Sequence, residues 1–167
     1  MLLNSMMVFA QAEKEDILSI RAEYNRINSI STRRVQLENE DVLGHMTDGG
    51  ATLTGYFEGD ILVKAVVWVG LSYGNVEIEY YLKDSELFFG FEVERTFAKK
   101  YEEGEFIGGD YAKDLETGFE GRYYFEEGEL IRDLEKGERM FGDAFDLEAF
   151  KDAAQEFFDL LRKKAEG

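Results

Sequence analysis

The chain has 167 residues, of which 36 are Asp or Glu and 19 are Lys or Arg, so its formal net charge is −17. Hydrophobic residues make up 44% of the chain and aromatic residues 14%, enough for a packed core at this length, which excludes a largely disordered chain. So acidic a chain is a poor partner for nucleic acids or anionic membranes, and the absence of Cys excludes disulfides, thiol nucleophiles and thiolate metal sites.

The first twelve residues are uncharged and mostly apolar, and they end in the run Ala10-Gln11-Ala12, a small-x-small pattern that signal peptidase accepts. The next four residues, 13–16, are all charged. This pattern predicts an export signal over residues 1–12 that is cut after Ala12, and a periplasmic or secreted protein with a single domain over residues 13–167. The alternative is a buried N-terminal helix, in which case the protein is cytoplasmic.

Two segments have helical periodicity. Apolar residues recur at spacings of three and four between Ile17 and Ile27, which predicts an amphipathic helix over residues 15–30. Near the other end, Asp146 is a good N-cap, and an apolar stripe runs from Leu147 to Leu161 before three basic residues at 162–164. A second helix is therefore predicted at the C-terminal end.

Between the two helices the periodicity falls to two, in short runs of aromatic and β-branched residues separated by Gly, Asp, Asn and Ser. The sequence thus predicts an α+β fold, with an N-terminal helix, an antiparallel β-meander of about seven to eight strands, and a C-terminal helix packed on the sheet. Residues 102–118 break the alternation and are predicted to form the longest loop.

One hairpin is specific enough for its register to be predicted. A two-residue turn at Asp84-Ser85 pairs Leu82 with Leu87, and continuing without interruption it pairs Tyr80 with Phe89 and Ile78 with Phe91. In this register Glu77 lies opposite Glu92 on the outward face, with Glu79 and Glu94 on the same side.

The run 123–131 repeats the run 80–88 in character, with a turn at Glu127-Gly128, and the run 56–62 is a shorter copy. These aromatic-aromatic-x-x-x-Gly-x-Leu units resemble those of bacterial exported proteins built on β-meanders, and more distantly those of MORN-type repeats and of immunity or antitoxin proteins. The resemblance covers roughly residues 50–135 of the chain. It implies binding rather than catalysis.

The four outward carboxylates, Glu77, Glu79, Glu92 and Glu94, place like charges side by side, which destabilises a sheet unless a cation relieves it. Either neighbouring Arg95 or Arg122 neutralises them, or they form an acidic docking face for a basic partner or a divalent cation. A second acidic group, at residues 110, 114, 116 and 120, has oxygen ligands suited to Ca²⁺ but lacks the EF-hand order. No metal site, cofactor or catalytic residue is predicted, and the single imidazole, His45, is predicted to lie in a loop.

Tyr81, Phe88, Tyr124 and Ile131 fall opposite the main inward set. They are either an exposed aromatic strip or, if a helix covers the second face, a second small core. The predicted function is non-catalytic protein–protein recognition through this acidic and aromatic face, with Glu77, Glu79, Tyr81, Phe88, Glu92, Glu94 and Tyr124 as binding residues. The alternative is a lipocalin-like carrier of a small apolar ligand, with a pocket lined by Trp68, Tyr80, Phe89 and Phe91. A hydrolase that uses only carboxylates is the third hypothesis.

Overall fold

The structure is a computed structural model that describes residues 2–97, 101–102, 105–106, 115–140 and 144–167. Its helices are α1 (Leu2–Ser29), α2 (Glu40–Leu43) and α3 (Leu147–Glu166). Its strands are β1 (Arg33–Glu38), β2 (Ala51–Glu58), β3 (Ile61–Leu71), β4 (Gly74–Lys83), β5 (Glu86–Phe97), β6 (Tyr101–Glu102), β7 (Glu105–Phe106), β8 (Leu115–Glu126) and β9 (Glu129–Gly137).

Seven of these strands form one antiparallel sheet in the order β1-β2-β3-β4-β5-β8-β9, so every neighbour in the sheet is also the next large strand along the chain. The short strands β6 and β7 pair only with each other. The predicted α+β fold is therefore confirmed. The predicted loop over residues 102–118 is wrong at both ends, because β6 and β7 fall within it and β8 already begins at Leu115; residues 107–114 lie outside the described residues.

Helix α3 covers one face of the sheet. Asp146 caps it as predicted, since its Oδ1 accepts a hydrogen bond from the backbone N–H of Ala149 at 3.0 Å. The stripe from Phe150 to Leu161 packs on Leu53, Tyr80, Phe125 and other buried residues of this face. Two strand glycines allow the close approach, because a Cβ on Gly90 would lie 2.6 Å from the Phe150 ring and one on Gly55 would lie 2.9 Å from Leu161.

Helix α1 covers part of the opposite face and closes a second core. Ile17, Ile20 and Ile27 are buried there against residues of β3, β4, β5 and β8, which are Val63, Tyr81, Phe88, Phe89 and Tyr124. At the C-terminal end of the helix, the amide of Asn28 donates to the Tyr81 hydroxyl at 3.1 Å, and Arg26 pairs with Glu58 at 3.0 Å. The sheet is thus a middle layer between two helices.

Three of the hairpins each have a two-residue turn followed by a β-bulge, and because of the bulge the observed register differs from the predicted one. Lys83 pairs with Glu86 and Leu82 with Leu87 as predicted, but Tyr81 then pairs with Phe89, which leaves Phe88 as an extra residue. Val63 and Ile131 are the extra residues in the β2-β3 and β8-β9 hairpins.

Beyond the bulge the predicted pairs are wrong by one residue, because Ile78 lies opposite Glu92, and Glu77 lies opposite Val93. The β8-β9 hairpin deviates in the same way: uninterrupted pairing from the predicted turn at Glu127-Gly128 places Phe125 opposite Leu130, as observed, but it places Arg122 opposite Asp133, whereas Arg122 pairs with Leu134. A one-residue shift exchanges the two faces of a strand, so Phe89, Phe91 and Val93 lie on the α1 side of the sheet, and Glu92 and Glu94 lie on the α3 side.

Candidate functional site

The residues predicted to form one docking face are divided between three environments. Tyr81, Phe88 and Tyr124 lie beneath α1, and Tyr81 has no exposed surface. Of the two alternatives for the aromatic residues, the second core is confirmed and the exposed strip is wrong. Burial, and after it the nearby Glu79 carboxylate, raises the pKa of Tyr81, whose hydroxyl donates to that carboxylate.

Glu77 and Glu79 are half-exposed on the part of the α1 side that the helix leaves uncovered. Each has a cationic partner: Arg95 lies 3.4 Å from Glu77, and Lys64 lies 3.0 Å from Glu79. The interpretation in which Arg95 neutralises the acidic residues therefore holds for Glu77. Trp68 and Phe91 are half-exposed on the same side of the sheet.

Glu92 and Glu94 lie on the other side of the sheet and are buried, with 7% and 0% of their surfaces exposed. The prediction that they share an outward face with Glu77 and Glu79 is wrong, since the bulge at Phe88 exchanges the faces of β5. Their partner comes from the segment between β9 and α3. Arg139 donates two hydrogen bonds of 2.9 Å to the two carboxylate oxygens of Glu92, and the backbone N–H of Met140 donates to Glu94 Oε2 at 2.6 Å.

The Arg139 guanidinium contacts several groups besides Glu92, and 14% of the side chain remains exposed. It stacks 4.1 Å from the centre of the Phe119 ring, contacts Glu135 at 3.2 Å and donates to the Tyr123 hydroxyl. Burial alone would lower the pKa of Arg139, but the hydrogen bonds to Glu92 raise it above the ordinary value, so the side chain stays cationic. This cluster fastens the β9-α3 connection to the sheet, and it leaves the buried carboxylates engaged by protein groups.

A groove runs along the junction of α1 with β5 and β8, on the same side of the sheet as Glu77. It encloses about 180 Å³. Its lining consists of three residues of α1 (Ile20, Arg21 and Tyr24) and four sheet residues (Phe89, Phe91, Arg122 and Tyr124). Ile20 and Tyr24 are four residues apart, so they face the sheet together. The Tyr24 ring meets the Phe89 ring edge-on at 5.4 Å, and Phe89 contacts Tyr124 at 5.1 Å.

Two arginines are the charged side chains among the described residues that line this groove. Arg122 lies over the Phe91 ring at 5.1 Å, and its Nη2 pairs with Glu120 Oε2 at 3.0 Å. Arg21 is exposed on α1 and forms no hydrogen bond or ion pair with any residue that the structure describes. The groove therefore combines an aromatic floor with a cationic rim.

The residues predicted to line the pocket of a small-ligand carrier are only partly right. Phe89 and Phe91 do line a groove, but Tyr80 belongs to the core under α3, and Trp68 lies outside the groove. The sequence does not indicate that Ile20, Tyr24 and Arg122 line a groove, because an uninterrupted register places Phe89 and Phe91 on the face opposite α1. The doublets Tyr80-Tyr81 and Tyr123-Tyr124, each of which gives both faces of its strand an aromatic residue, are the signal in the sequence for two covered faces.

Two further clefts flank the turns of the hairpins. One lies between α1 and the turns and includes Asp16, Glu23, Glu126 and Glu127; the other lies between α3 and the turns. Partial desolvation, and after it the Asp16 carboxylate, raises the pKa of Glu126. Most of the charged residues that line the cleft beside α1 are thus acidic, although Lys83 is also among them, in contrast to the rim of the aromatic groove.

Within the described part of the chain, no group of three or more His, Asp or Glu residues is arranged to hold a metal ion. Of the residues considered for calcium, Asp110 and Asp114 lie outside the described residues, and Glu116 and Glu120 lie on β8. His45 is exposed after α2, as predicted for a loop histidine, and its Nδ1 lies 3.0 Å from the carbonyl oxygen of Leu43. A search of the described helices finds none with the length and apolar character to cross a membrane.

Comparison of the chain with protein-family models, with curated proteins and with solved structures yields no match in any of the three. The resemblance of the hairpins to bacterial exported β-meander proteins, and to MORN-type and immunity proteins, stays a prediction.

Proposed function

We propose that this protein is a non-catalytic binding protein that takes the apolar part of a small ligand into the groove between α1, β5 and β8. The observation that carries the proposal is the aromatic lining of a groove of about 180 Å³ at the edge of the interface between α1 and the sheet. Ligand sites are typically concave and aromatic, with a few polar groups at defined positions. An apolar cavity of about 150 Å³ takes up benzene, so this groove has room for a single ring.

The engagement of the buried carboxylates supports binding in preference to hydrolysis. Glu92 is bound by Arg139, and Glu94 accepts a hydrogen bond from Met140, so both have a structural partner. Neither residue lines the aromatic groove. A hydrolase would need an acid and a base that face one substrate.

Recognition of a protein partner through an acidic and aromatic surface stays a prediction, with a reduced set of residues. Glu77 and Glu79 lie with Trp68 and Phe91 on the half-exposed part of the sheet. The pairing of both carboxylates with Arg95 and Lys64 lessens the attraction of this surface for a basic partner. Export to the periplasm or medium is likewise part of the proposal and rests on residues 1–12.

The proposal is tested by NMR titration of the isotope-labelled chain with two probes, 2-phenylacetamide and phenylacetate. We expect at least one of them to give saturable shifts centred on Ile20, Phe89 and Tyr124, with a dissociation constant of about 1 mM or tighter. Phe91→Ala removes part of the groove floor and should weaken this binding, whereas Tyr56→Ala, at a half-exposed aromatic on the same side of the sheet but outside the groove, should not. Absence of saturable shifts with both probes would overturn the proposed function.

A further inference from the structure

We infer that the ligand of the aromatic groove carries a carboxylate next to a single aromatic ring, and that Arg21 and Arg122 together recognise the carboxylate. The inference rests on the proposed function, because it names the chemical class of ligand for the same groove. It goes beyond a carrier of apolar ligands, since the rim of the groove selects for negative charge.

First, the charges that line the aromatic groove are opposite in sign to the net charge of the chain. Acidic residues outnumber basic ones 36 to 19 in this chain, so a cleft lined at random would be acidic. The neighbouring cleft at the hairpin turns fits that expectation, with Asp16, Glu23 and Glu126 on its walls. Among the described residues that line the aromatic groove, the charged ones are both arginines. The groove is therefore a local exception to the field of the whole molecule.

The second argument is the free guanidinium of Arg21. Most arginines that the structure describes near this side of the sheet are paired: Arg26 with Glu23 and Glu58, and Arg95 with Glu77. Arg21 has no partner among the described residues, and the positions three and four away from it on α1 are Ile17, Leu18, Tyr24 and Asn25, none of which is acidic. Its donors are available to a ligand.

The third argument is the partly occupied guanidinium of Arg122. Glu120 takes one of its five N–H donors, and the stacking of the guanidinium on Phe91 holds the plane in place. A side chain that is already ordered loses little conformational entropy when it binds a second carboxylate. Arg122 can therefore donate from its remaining edge to an anion that sits at the end of the groove.

The size and lining of the groove select the rest of the ligand. About 180 Å³ suits one ring and not a long acyl chain. The Tyr24, Phe89 and Tyr124 rings are tilted or perpendicular to one another, an arrangement in which a further ring can meet both faces and edges. A ring in the groove then places its carboxylate substituent toward the two arginines at the rim.

Phenylacetate and 2-phenylacetamide separate this inference from the proposed function, because they have the same shape and differ in charge. We expect phenylacetate to bind the wild-type chain about tenfold more tightly than 2-phenylacetamide. Arg21→Gln and Arg122→Gln should each remove most of that preference, because the loss of affinity falls mainly on the charged probe. Arg162→Gln, which changes a half-exposed arginine on α3 at the other face of the sheet, should leave the preference intact.

Each outcome has a distinct meaning. Equal affinities for the two probes in the wild-type chain would overturn the carboxylate inference and leave the groove as a site for neutral rings. A preference for phenylacetate that survives in the Arg21→Gln, Arg122→Gln double variant would also overturn it, because another cation would then be responsible. Retention of the wild-type amide fingerprint in each variant shows that any loss of affinity comes from the rim and not from unfolding, since both side chains are at least partly exposed.

Discussion

Arg139 partly neutralises the buried carboxylates on the α3 side of the sheet. It brings one positive charge to two buried carboxylates, Glu92 and Glu94, and its own side chain is only 14% exposed. Taking such charges out of water is costly, and the cost is recovered only while the partners stay in contact. The bidentate pair with Glu92 and the stacking on Phe119 supply that contact.

We predict that Arg139→Met destabilises the protein by about 3–5 kcal/mol, because it leaves Glu92 and Glu94 buried without their cation. The free energy of unfolding is measured by urea titration at neutral pH. Arg139→Lys keeps the charge but loses the bidentate geometry and should cost less. Arg162→Met on α3, a half-exposed arginine in an i, i+3 pair, is the matched control and should change stability by no more than about 0.5 kcal/mol. A loss of less than about 1 kcal/mol for Arg139→Met would contradict this account of the cluster.

At the scale of the elements, the hairpin turns could be predicted from the sequence and the bulges could not. Asp84-Ser85 and Glu127-Gly128 were placed correctly because short polar residues and Gly between apolar runs favour two-residue turns. The extra residue, Phe88 or Ile131, is itself apolar, so the sequence predicts a regular paired residue where the structure has a bulge. Because both faces of the sheet are apolar and covered, the alternation of residues along a strand does not indicate which face each residue lies on.

The two type I′ turns offer a matched pair of substitutions. Asp84 and Ser85 both have positive φ, of 52° and 70°, and Glu127 and Gly128 have φ of 49° and 79°. Positive φ is strained for Ser and unstrained for Gly. We therefore predict that Ser85→Gly stabilises the protein by about 0.5–1 kcal/mol and that Gly128→Ser destabilises it by a similar amount.

Urea titrations of the two variants, and of the double variant, measure these effects. A Cβ at Gly128 would meet no atom within 4 Å, so backbone conformation and not steric contact is the property tested there. Destabilisation by Ser85→Gly would show that the Ser85 side chain contributes more than its backbone strain costs.

At the scale of the whole molecule, the sequence predicts the two helices, the meander and their order, because each depends on local periodicity and capping. It does not predict which face of β5 each helix covers. The face of β5 that carries Glu92 is set partly by the contact of Glu92 with Arg139, which lies 47 residues away in the chain. It is also set by the side of the sheet on which α1 packs, and no local sequence pattern specifies that side. Of the seven described residues that line the candidate groove, the sequence accordingly indicates three as pocket or binding residues: Phe89, Phe91 and Tyr124.

We predict that the chain starting at residue 13 folds as stably as the chain of 167 residues, to within about 1 kcal/mol. The buried residues of α1 that the structure describes begin at Ile17, so removal of residues 1–12 leaves these contacts in place. Thermal and urea unfolding of the two chains measure the difference. N-terminal sequencing of the protein from its source cell tests export itself: a start at Glu13 is expected, and an intact Met1 in the cytosol would contradict it.

The three bulges have a consequence for how this fold can change in evolution. Each adds one residue to the second strand of a hairpin, at Val63, Phe88 and Ile131, and all three extra residues face α1. A chain that lost Phe88 could keep every other pairing of β4 with β5, since Leu87 and Phe89 would then follow one another in ordinary alternation. We therefore expect that homologous chains can differ in length by one residue at these positions, with Glu92 kept on the α3 side and one side chain lost from the core beneath α1.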